Sequence, residues 1–504
     1  MRGTNTNVTR LRRRIFVEVA KIAFQAEDET LKDEIEAIPY AISPSEEPKY
    51  RESIFRERAI AGERVRLAMG MSIRPQDKPV HLTAGLRESN ISQQYYEPPL
   101  MQVIPSACAK CEDHVYEVSD QCRACVGRAC VHACPTDAVL IGKNNGNAYI
   151  DRGKCIRCGK CKTACPYDAI AHKVRPCAAA CGVNAVVGDD LGRAKIDSEK
   201  CVACGQCMVH CPFGAIADKS QIFQLGRAIR KQVEVAAVVA PAIVGQFGGA
   251  SMEQIKEALK RIGFRAVFEV AVGADVGAAT EAHHYATKVA TGELPFLLTS
   301  CCPAWSMLAK KQFPDMIDKV SNSLTPMVAT ARFVKQMMPK SKVVFIGPCA
   351  AKKLEAMRKS VRSDVDFVIT FEELSAIFEA LQIDAEACRA EEAKSEEATG
   401  SGRGYGVAGG VASAIERCVR EYYPDVSVKT EHAEGLVECR KMLLLAKAGK
   451  KDGCLIEGMG CFGGCVGGAG INIPIEKGRE AVKKYADNSA QKIPPKELYE
   501  LKLP

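Results

Sequence analysis

Cysteine is the residue whose number and spacing in this chain most clearly indicate chemistry. Sixteen of the 25 cysteines lie between residues 101 and 221. Two stretches there follow the pattern C-x2-C-x2-C-x3-C-P, in which three thiolates wrap one cubane cluster and the fourth binds a neighbouring cluster. Zinc sites also use paired C-x2-C units, but the triple spacing with its proline is more specific and predicts 4Fe-4S clusters. The eight cysteines of these two runs are Cys155, Cys158, Cys161, Cys165, Cys201, Cys204, Cys207 and Cys211.

The rule for the fourth ligand predicts how the two regular runs are paired. It assigns Cys211 to the cluster of Cys155, Cys158 and Cys161, and Cys165 to the cluster of the second run. Eight further cysteines are less regularly spaced, and they suffice for two more clusters, so we expect four accessory clusters. These cysteines are Cys108, Cys111, Cys122, Cys125, Cys130, Cys134, Cys177 and Cys181.

Two alternatives stay open for the less regular cysteines. Cys134 and Cys181 are also placed as donated fourth ligands, an arrangement that would pair the four runs sequentially. Cys108 and Cys111 equally fit a separate zinc site. A row of clusters carries electrons but does no substrate chemistry, so we expect it to serve the larger C-terminal part of the chain.

Three loops in that C-terminal part place cysteines directly after apolar segments. They read TSCCPAW (299–305), FIGPCAAKK (345–353) and LIEGMGCFGGCVGGAG (455–470). The glycines of the third loop allow the backbone to approach a bulky inorganic group closely. Side chains of neighbouring residues in an extended chain point to opposite sides, so Cys301 faces a different environment from Cys302. The cysteines that suffice for one more cubane are Cys302, Cys349, Cys461 and Cys465.

The elements that must position these residues divide the chain into three predicted parts. Residues 1–100 contain no cysteine and read as one or two charged helices with a linker, to which we assign no chemistry. Residues 101–221 form the iron–sulfur domain. Residues 222–504 alternate apolar strands with helical patterns, which predicts parallel strands joined by crossover helices. Within this part we interpret residues 386–404 as a charged, Gly- and Ser-rich surface excursion, and four further cysteines as buried apolar residues. Those four are Cys388, Cys418, Cys439 and Cys454.

Composition restricts the setting in which the chain works. The first residues lack the apolar core of a signal peptide, and the sequence has no stretch of 18 apolar residues that would span a membrane. A cysteine-rich chain of this kind is typical of metal binding in the cytoplasm. The net charge of +8 suits an acidic partner such as a small electron carrier, whereas no nucleic-acid recognition motif is present.

The three C-terminal loops resemble the three signature motifs of the FeFe-hydrogenases, and the ferredoxin runs resemble the accessory domain of that family. The resemblance covers roughly residues 145–500. Ala304, where well-known members have glycine, and the extra run CRACVGRACVHACP resemble group B of the family. The resemblance implies an α/β catalytic domain of two lobes, with parallel sheets flanked by helices, and an α+β domain of tandem ferredoxin-like units.

The resemblance also implies the cofactor and its ligands. The family carries an H-cluster, which is a 4Fe-4S cubane joined to a two-iron unit with CO, cyanide and an azadithiolate bridge. By motif position Cys302, Cys349, Cys461 and Cys465 bind the cubane, and Cys465 bridges to the two-iron unit. Lys352 matches a lysine that contacts a cyanide.

The same resemblance assigns the proton path. Met459 matches a methionine that packs on the cluster, and Cys301 matches a thiol that passes protons, a task suited to a group that both donates and accepts. Glu281 and then Ser321 take the next relay positions. Further out, His284 and Lys288 replace a glutamate and an arginine of the family.

Three positions around the implied two-iron unit depart from the family. They are Ala242 in place of a frequent serine, Gly347 in place of a methionine and Met327 in place of a glutamine. Since outer residues tune metal sites, potential and rate are expected to differ from those of well-known relatives.

The function implied by the resemblance is reversible interconversion of dihydrogen with protons and electrons, in an anaerobic cytoplasm. The expected partners are a ferredoxin-like carrier and the maturation proteins that supply the two-iron unit. The alternative is a non-catalytic iron–sulfur assembly protein or a sensory relative that lacks that unit.

Overall fold

A computed structural model describes residues 3–390 and 398–501. Residues 3–100 are mostly helical, and residues 101–221 contain short strands and single helical turns. The four helices of the first part are α1 (Asn7–Gln25), α2 (Leu31–Ile42), α3 (Ile54–Ala68) and α4 (Leu86–Ser89). The second part contains β1 (Met101–Val103), β2 (Val115–Val118), α5 (Ala129–His132), β3 (Val139–Ile141), β4 (Ala148–Ile150), α6 (Lys160–Ala164), β5 (Ile170–Lys173), α7 (Pro176–Ala179), β6 (Val186–Gly188), β7 (Ala194–Ile196), α8 (Gln206–His210) and β8 (Ile216–Asp218).

From residue 222 onward, strands alternate with longer helices. The elements there are α9 (Ile222–Arg230), β9 (Val235–Val239), α10 (Met252–Ile262), β10 (Ala266–Glu269), α11 (Ala271–His284), β11 (Leu297–Leu298), α12 (Pro303–Gln312), α13 (Pro326–Met337), β12 (Lys342–Gly347), α14 (Ala350–Ala356), β13 (Phe367–Thr370), α15 (Phe371–Ala380), α16 (Gly400–Gly404), α17 (Gly410–Tyr422), β14 (Lys429–Glu434), α18 (Leu436–Lys447), β15 (Cys454–Met459) and α19 (Ile475–Asp487).

Two parallel sheets organise this C-terminal part, which confirms the predicted α/β class. One sheet has the strand order β10-β9-β12-β13 and the other has the order β11-β15-β14. Strands β9 and β15 are completely buried, as the apolar runs of these segments require. By contrast, residues 101–221 and their flanks form four two-stranded antiparallel pairs, β1-β8, β2-β5, β3-β4 and β6-β7.

The N-terminal helices pack against the C-terminal part and share its core. Helix α1 begins where the Thr6 hydroxyl accepts the backbone N–H of Thr9, and its buried face contacts α9 and α15. One hydrophobic cluster joins residues of α1, α2 and α3 to the four-stranded sheet. The structure therefore has three long helices in this region rather than one or two, and the apolar stripe between their charges is what binds them to the sheet.

A buried ion-pair group joins the iron–sulfur part to the larger sheet. Lys353, on α14, donates to Asp218 at the end of β8 and to Glu373 on α15, each at 2.7 Å. All three side chains are almost completely excluded from solvent. Removing one partner of a buried group of this kind leaves an uncompensated charge, so the contact fixes how the two parts meet.

The predicted surface excursion at 386–404 is partly wrong. Residues 391–397 lie outside the described residues. After them the chain is buried, because the Asp275 carboxylate accepts the Thr399 hydroxyl at 2.6 Å and the backbone N–H groups of Thr399 and Gly402 at 2.8 and 2.9 Å. The small residues of α16 allow this close packing. In the described part of the chain we find no helix long and apolar enough to cross a bilayer.

Gly458 provides a test of the packing beneath the site. It lies in β15 directly under Trp305, the only tryptophan in the sequence, and a Cβ atom there would overlap the indole ring. We expect Gly458→Ala to destabilise the fold by about 1–3 kcal/mol through overpacking, measured as a lower midpoint of denaturant unfolding. The control is Gly404→Ala, because a Cβ at that helical glycine meets open space. An unchanged midpoint for Gly458→Ala would contradict this account of the core.

Candidate active site and metal centres

A cavity lies where the carboxyl ends of both parallel sheets converge. Its walls come from the loop after β9, the loop after β11, the end of β12 and the end of β15. Its volume is about 80 Å³, and it is lined mainly by apolar side chains. Parallel strands place their carboxyl ends at one edge of a sheet, so residues distant in sequence meet there.

Four cysteine thiols gather at this cavity. Cys302, Cys349 and Cys465 line it, and Cys461 lies beside Cys349. Burial and the neighbouring thiols of Cys461 and Cys302 raise the pKa of Cys349 to about 12, and burial with Cys349 and Cys302 does the same for Cys465. Backbone and amide donors already face two of these sulfurs, because Gly460 N–H reaches Cys302 at 3.4 Å and Gln206 Nε2 reaches Cys461 at 3.6 Å.

The glycine-rich loop 460–470 brings two of these cysteines close to the backbone of other loops. Gly464 has φ of 81° and packs against the backbone of Val407 and Ala408. Gly468 packs directly on Pro348, so that a side chain at either position would collide with the backbone. These contacts explain why the third loop is rich in glycine.

The donor set fits an iron–sulfur group. Four thiols converge with N–H donors directed at their sulfurs, and an apolar wall surrounds them. Burial raises the pKa of Cys349 and Cys465, so in the protein alone the thiolate forms of these two residues are disfavoured. Binding of a cation or an iron cluster is what stabilises deprotonated thiols in such surroundings.

Cys301 faces the same cavity from the other side of the chain. Burial, and after it the charges of Glu281 and Cys302, raise its pKa well above the usual range, so its sulfur retains its proton at neutral pH. Glu281 lies behind it on α11 and accepts the Ser300 hydroxyl at 3.3 Å. Burial raises the pKa of Glu281 to about 7, opposed by the hydroxyl groups of Ser321 and Ser300.

The other residues named from the sequence are also placed at or near the cavity. Met459 is buried and lines it. Lys352 lines it as well, donating to Glu355 at 2.6 Å and to the Cys301 carbonyl at 3.4 Å. Burial alone would lower the pKa of Lys352, but the ion pair with Glu355 raises it above its ordinary value. Lys352 is therefore a buried cation.

Ser321 and the outer path residues extend away from the cavity. The Ser321 hydroxyl donates to Ser323 at 2.9 Å, beside the Glu281 carboxylate. His284 is half-buried, and burial lowers its pKa. Lys288 forms an ion pair with Glu293 at 2.7 Å near the surface. The two outer positions thus carry a half-buried imidazole and a surface ion pair.

Two residues that sequence reasoning missed shape the cavity. The Tyr405 hydroxyl is buried and, among the described residues, has no hydrogen-bond partner. Burial, Glu281 and Cys301 raise its pKa, so it stays protonated as a donor. Phe345 fills the space above Gly347, where a Cβ atom would collide with its ring. The sequence feature that points to Tyr405 is its position between two glycines, Gly404 and Gly406.

The sixteen cysteines of the second part fall into four groups of thiols. The charge of Cys134 acts on Cys161, and that of Cys165 acts on Cys130, in each case raising a pKa that burial has already raised. In the same way Cys211 acts on Cys111 and Cys177, and Cys181 acts on Cys204 and Cys207. With their runs, the groups are Cys134, Cys155, Cys158 and Cys161; Cys122, Cys125, Cys130 and Cys165; Cys181, Cys201, Cys204 and Cys207; and Cys108, Cys111, Cys177 and Cys211.

The predicted pairing of the two regular runs is therefore wrong. Cys165 lies with the run that precedes it, and Cys211 lies with Cys108, Cys111 and Cys177. The antiparallel pairs explain this outcome, because β2-β5 and β3-β4 fold the first two runs onto each other. Of the two alternatives, sequential pairing agrees with the structure, and Cys108 and Cys111 lie within a group of four.

Two of the four groups follow one another from the cavity, and another group reaches the surface. Cys204 lies close enough to Cys349 for the cavity thiol to raise its pKa, and Cys207 is affected in the same way by Cys177 of the next group. At the other end Cys158 is exposed. Among the described residues, no three His, Cys, Asp or Glu side chains converge closely enough to hold a single metal ion.

Comparison with known proteins supports the interpretation of the C-terminal loops as hydrogenase motifs and of the cysteine runs as 4Fe-4S motifs. The family model for the iron only hydrogenase large subunit, C-terminal domain, matches residues 233–469, and the 4Fe-4S binding domain matches residues 148–171 and 194–217. The NADP-reducing hydrogenase subunit HndD of Solidesulfovibrio fructosivorans is 30% identical over 379 residues, covering 64% of this chain and 63% of that protein.

Two further relatives match different extents of the chain. Iron hydrogenase 1 of Clostridium pasteurianum is 27% identical over 380 residues, 66% of each chain. A cytosolic Fe-S cluster assembly factor of Kluyveromyces lactis is 36% identical over 109 residues, covering 22% of this chain and 23% of that protein. The chain spans just under two thirds of the length of the first two relatives. On these matches residues 233–469 are similar to the C-terminal domain of the iron only hydrogenase large subunit, and the preceding part carries 4Fe-4S binding domains.

The grouping of the thiols can be tested by double substitution. If Cys130 and Cys165 bind the same cluster, Cys130→Ala combined with Cys165→Ala removes one cluster and about four iron atoms. The pairing predicted from sequence would place them in two clusters and remove about eight. Iron analysis of protein without the two-iron unit measures the difference. If each of the four thiol groups and the cavity thiols bind one cubane, the unsubstituted control contains about twenty iron atoms.

Proposed function

We propose that this protein is a hydrogenase that reversibly interconverts dihydrogen with two protons and two electrons. The observation that carries the proposal is the position of Cys301, a protonated thiol, at the same buried cavity as the four thiols of Cys302, Cys349, Cys461 and Cys465. Four thiols suffice to bind a cubane cluster. The additional thiol of Cys301, with the carboxyl group of Glu281 behind it, is suited to deliver protons.

In this proposal Cys302, Cys349, Cys461 and Cys465 would hold the H-cluster. When bound, that group supplies the redox centre at which dihydrogen is made or split. Lys352 provides a buried positive charge for its anionic ligands. Met459, Phe345 and the apolar wall exclude water. The convergence of two sheets at the cavity supports the expected two-lobed domain.

Protons move between the cavity and solvent through the side chains of this chain. Cys301 holds a proton at Sγ and faces the cavity, and Glu281 is next behind it. A carboxyl group whose pKa is about 7 both accepts and releases a proton near neutral pH. Ser321 lies beside the Glu281 carboxylate, and its hydroxyl donates to that of Ser323, which continues the path. Beyond these residues, we propose that the proton path continues through His284.

Electrons reach the cavity through the accessory clusters. We assign one 4Fe-4S cluster to each of the four thiol groups, which gives four accessory clusters. The outermost group is surrounded by exposed basic side chains, and Ile156, whose side chain is 62% exposed, adds an apolar contact. This surface suits an acidic, ferredoxin-like carrier. The basic residues are Lys154, Arg157, Lys160 and Lys162.

The second candidate function is that of a non-catalytic iron–sulfur protein, favoured by the local match to the assembly factor. Such a protein needs cubane ligands but no proton relay. The buried positions of Glu281 and Lys352 argue for the catalytic function, because burying an ionisable group is costly. We also propose membership of group B, on Ala304 and the additional cysteine runs, and dependence on maturation proteins for the two-iron unit.

Infrared spectroscopy of the matured protein tests the proposal directly. Bands from CO and cyanide ligands are expected together with production of dihydrogen from a reduced carrier. A matured preparation with full accessory iron, but with neither these bands nor turnover, would establish the non-catalytic function instead.

The adjacent cysteines are expected to fail differently when substituted. Cys302→Ala removes a cubane ligand, so iron content and cluster signals fall. Cys301→Ala leaves the cluster assembled but lowers turnover by roughly 100-fold or more, the usual contribution of a positioned acid–base group. Cys301→Asp should restore part of it, since a carboxyl group also carries a proton. The measurements are infrared bands and dihydrogen production, with Cys439→Ala as the control for loss of a buried thiol.

Normal turnover in Cys301→Ala would remove this residue from the proton path. An intact cubane in Cys302→Ala would remove that residue from the ligand set.

Docking of the carrier is expected to depend on ionic strength. Reduction of the enzyme by an acidic ferredoxin should slow as salt rises, because exposed charges are screened. Combining Lys154→Gln with Lys162→Gln should lower both the rate and its salt dependence, whereas Lys450→Gln, on another exposed segment, should change neither. A rate independent of salt would show that the basic surface does not bind the carrier.

A further inference from the structure

Two arginines of the N-terminal helical region donate hydrogen bonds to the loop that follows Cys211. Arg51 donates to the carbonyl of Phe213 at 2.8 Å, and Arg64, on α3, donates to the carbonyl of Gly214. Arg64 is only 9% exposed. Among the described residues no carboxylate lies within ion-pair distance of it, and the nearby Glu372 is paired with Arg12. A buried guanidinium without a paired carboxylate requires another source of negative charge.

The thiolate of Cys211 is a negatively charged group that can compensate the Arg64 guanidinium. Burial lowers the pKa of Arg64 to about 10, Arg12 lowers it further, and the charge of Cys211 acts in the opposite direction. A cubane held by four thiolates has a net negative charge in both its oxidised and its reduced state. The position of Arg64 therefore matches a cation placed to compensate a cluster.

A single peptide unit connects Arg64 to the sulfur. The backbone N–H of Ala215 donates to Cys211 Sγ at 3.3 Å. The carbonyl of the same peptide unit, that of Gly214, accepts the Arg64 guanidinium. A charged donor at the carbonyl polarises the peptide and strengthens the hydrogen bond that its N–H makes.

The equivalent peptides of other repeats lack such a donor. Ala138 N–H donates to Cys134 Sγ, and Ala185 N–H donates to Cys181 Sγ, each at 3.2 Å. In the described part of the chain, no side chain donates to the carbonyls of Asp137 or Asn184, which belong to those peptides. The arginine therefore distinguishes the Cys211 site from its repeats.

We propose that Arg64 raises the reduction potential of the cluster bound by Cys108, Cys111, Cys177 and Cys211. The inference rests on the cluster assignment made under the proposed function. An added electron makes the cluster more negative, so a nearby cation and a stronger N–H···S bond both favour the reduced form. Arg64 is a positioning residue that acts through a peptide, and it gives the region 1–100 a part in setting electron flow.

The test compares Arg64→Gln, Arg64→Lys and Arg51→Gln in redox titrations followed by electron paramagnetic resonance. The protein contains its accessory clusters and lacks the two-iron unit. In Arg64→Gln one midpoint should fall by at least the equivalent of a tenfold change in the reduced-to-oxidised ratio, about 59 mV for one electron. Arg64→Lys keeps the charge and should shift that midpoint less.

Arg51→Gln is the matched control. It removes an arginine from the neighbouring carbonyl, but the N–H of that peptide, on Gly214, donates to the Cys211 carbonyl at 3.0 Å and not to sulfur. Its midpoints should therefore stay close to those of the unsubstituted protein.

Unchanged midpoints in Arg64→Gln would overturn the proposal. Loss of about four iron atoms from both Arg64 variants would also overturn it, by showing that the residue only holds the loop in place. Because the titration needs no two-iron unit, failure of the proposed hydrogenase activity leaves its result valid. Absence of a cluster at the Cys211 site in the unsubstituted protein would instead reject the cluster assignment together with this inference.

Discussion

Keeping anionic sulfur away from water is the constraint on which the rest of this structure depends. Burial disfavours the thiolate forms of Cys349, Cys465 and Cys204, whose pKa values it raises. The chain offsets this cost with backbone N–H donors and with cations such as Lys352. Each compensating group must itself be held in place. The glycine-rich loop, the converging sheet edges and the buried ion pairs follow from that requirement.

The N-terminal helices take part in the same compensation. Their apolar faces join the core of the large sheet, while their arginines reach carbonyls of the Cys211 loop. The buried group around Lys353 ties that loop's strand, β8, to helices α14 and α15. The large sheet, the N-terminal helices and the iron–sulfur part therefore meet around one region of buried charge. The position of the loop after Cys211 depends on all three.

Sequence patterns predicted the parts of this protein that depend on local spacing. Parallel strands, crossover helices and the loops of Cys302, Cys349 and Cys465 follow from periodicity and motifs. The pairing of Cys165 and Cys211 was predicted wrongly, because it depends on which strands pair across the repeats. Tyr405 and Arg64 were missed because their importance lies in an unsatisfied hydroxyl and an unpaired charge. Both arise only when distant segments are brought together.

The exchange of cysteines between adjacent runs has a consequence for how the clusters are built. The group of Cys122, Cys125, Cys130 and Cys165 is complete once residue 165 has left the ribosome, whereas the group containing Cys108 and Cys111 waits for Cys211. Since domains fold as units from the N-terminus during synthesis, the outer pair of clusters can close before the inner pair. The cavity waits longest, because its last ligand is Cys465. The thiol groups are thus completed along the chain in an order that starts with the group of the exposed Cys158 and ends at the cavity.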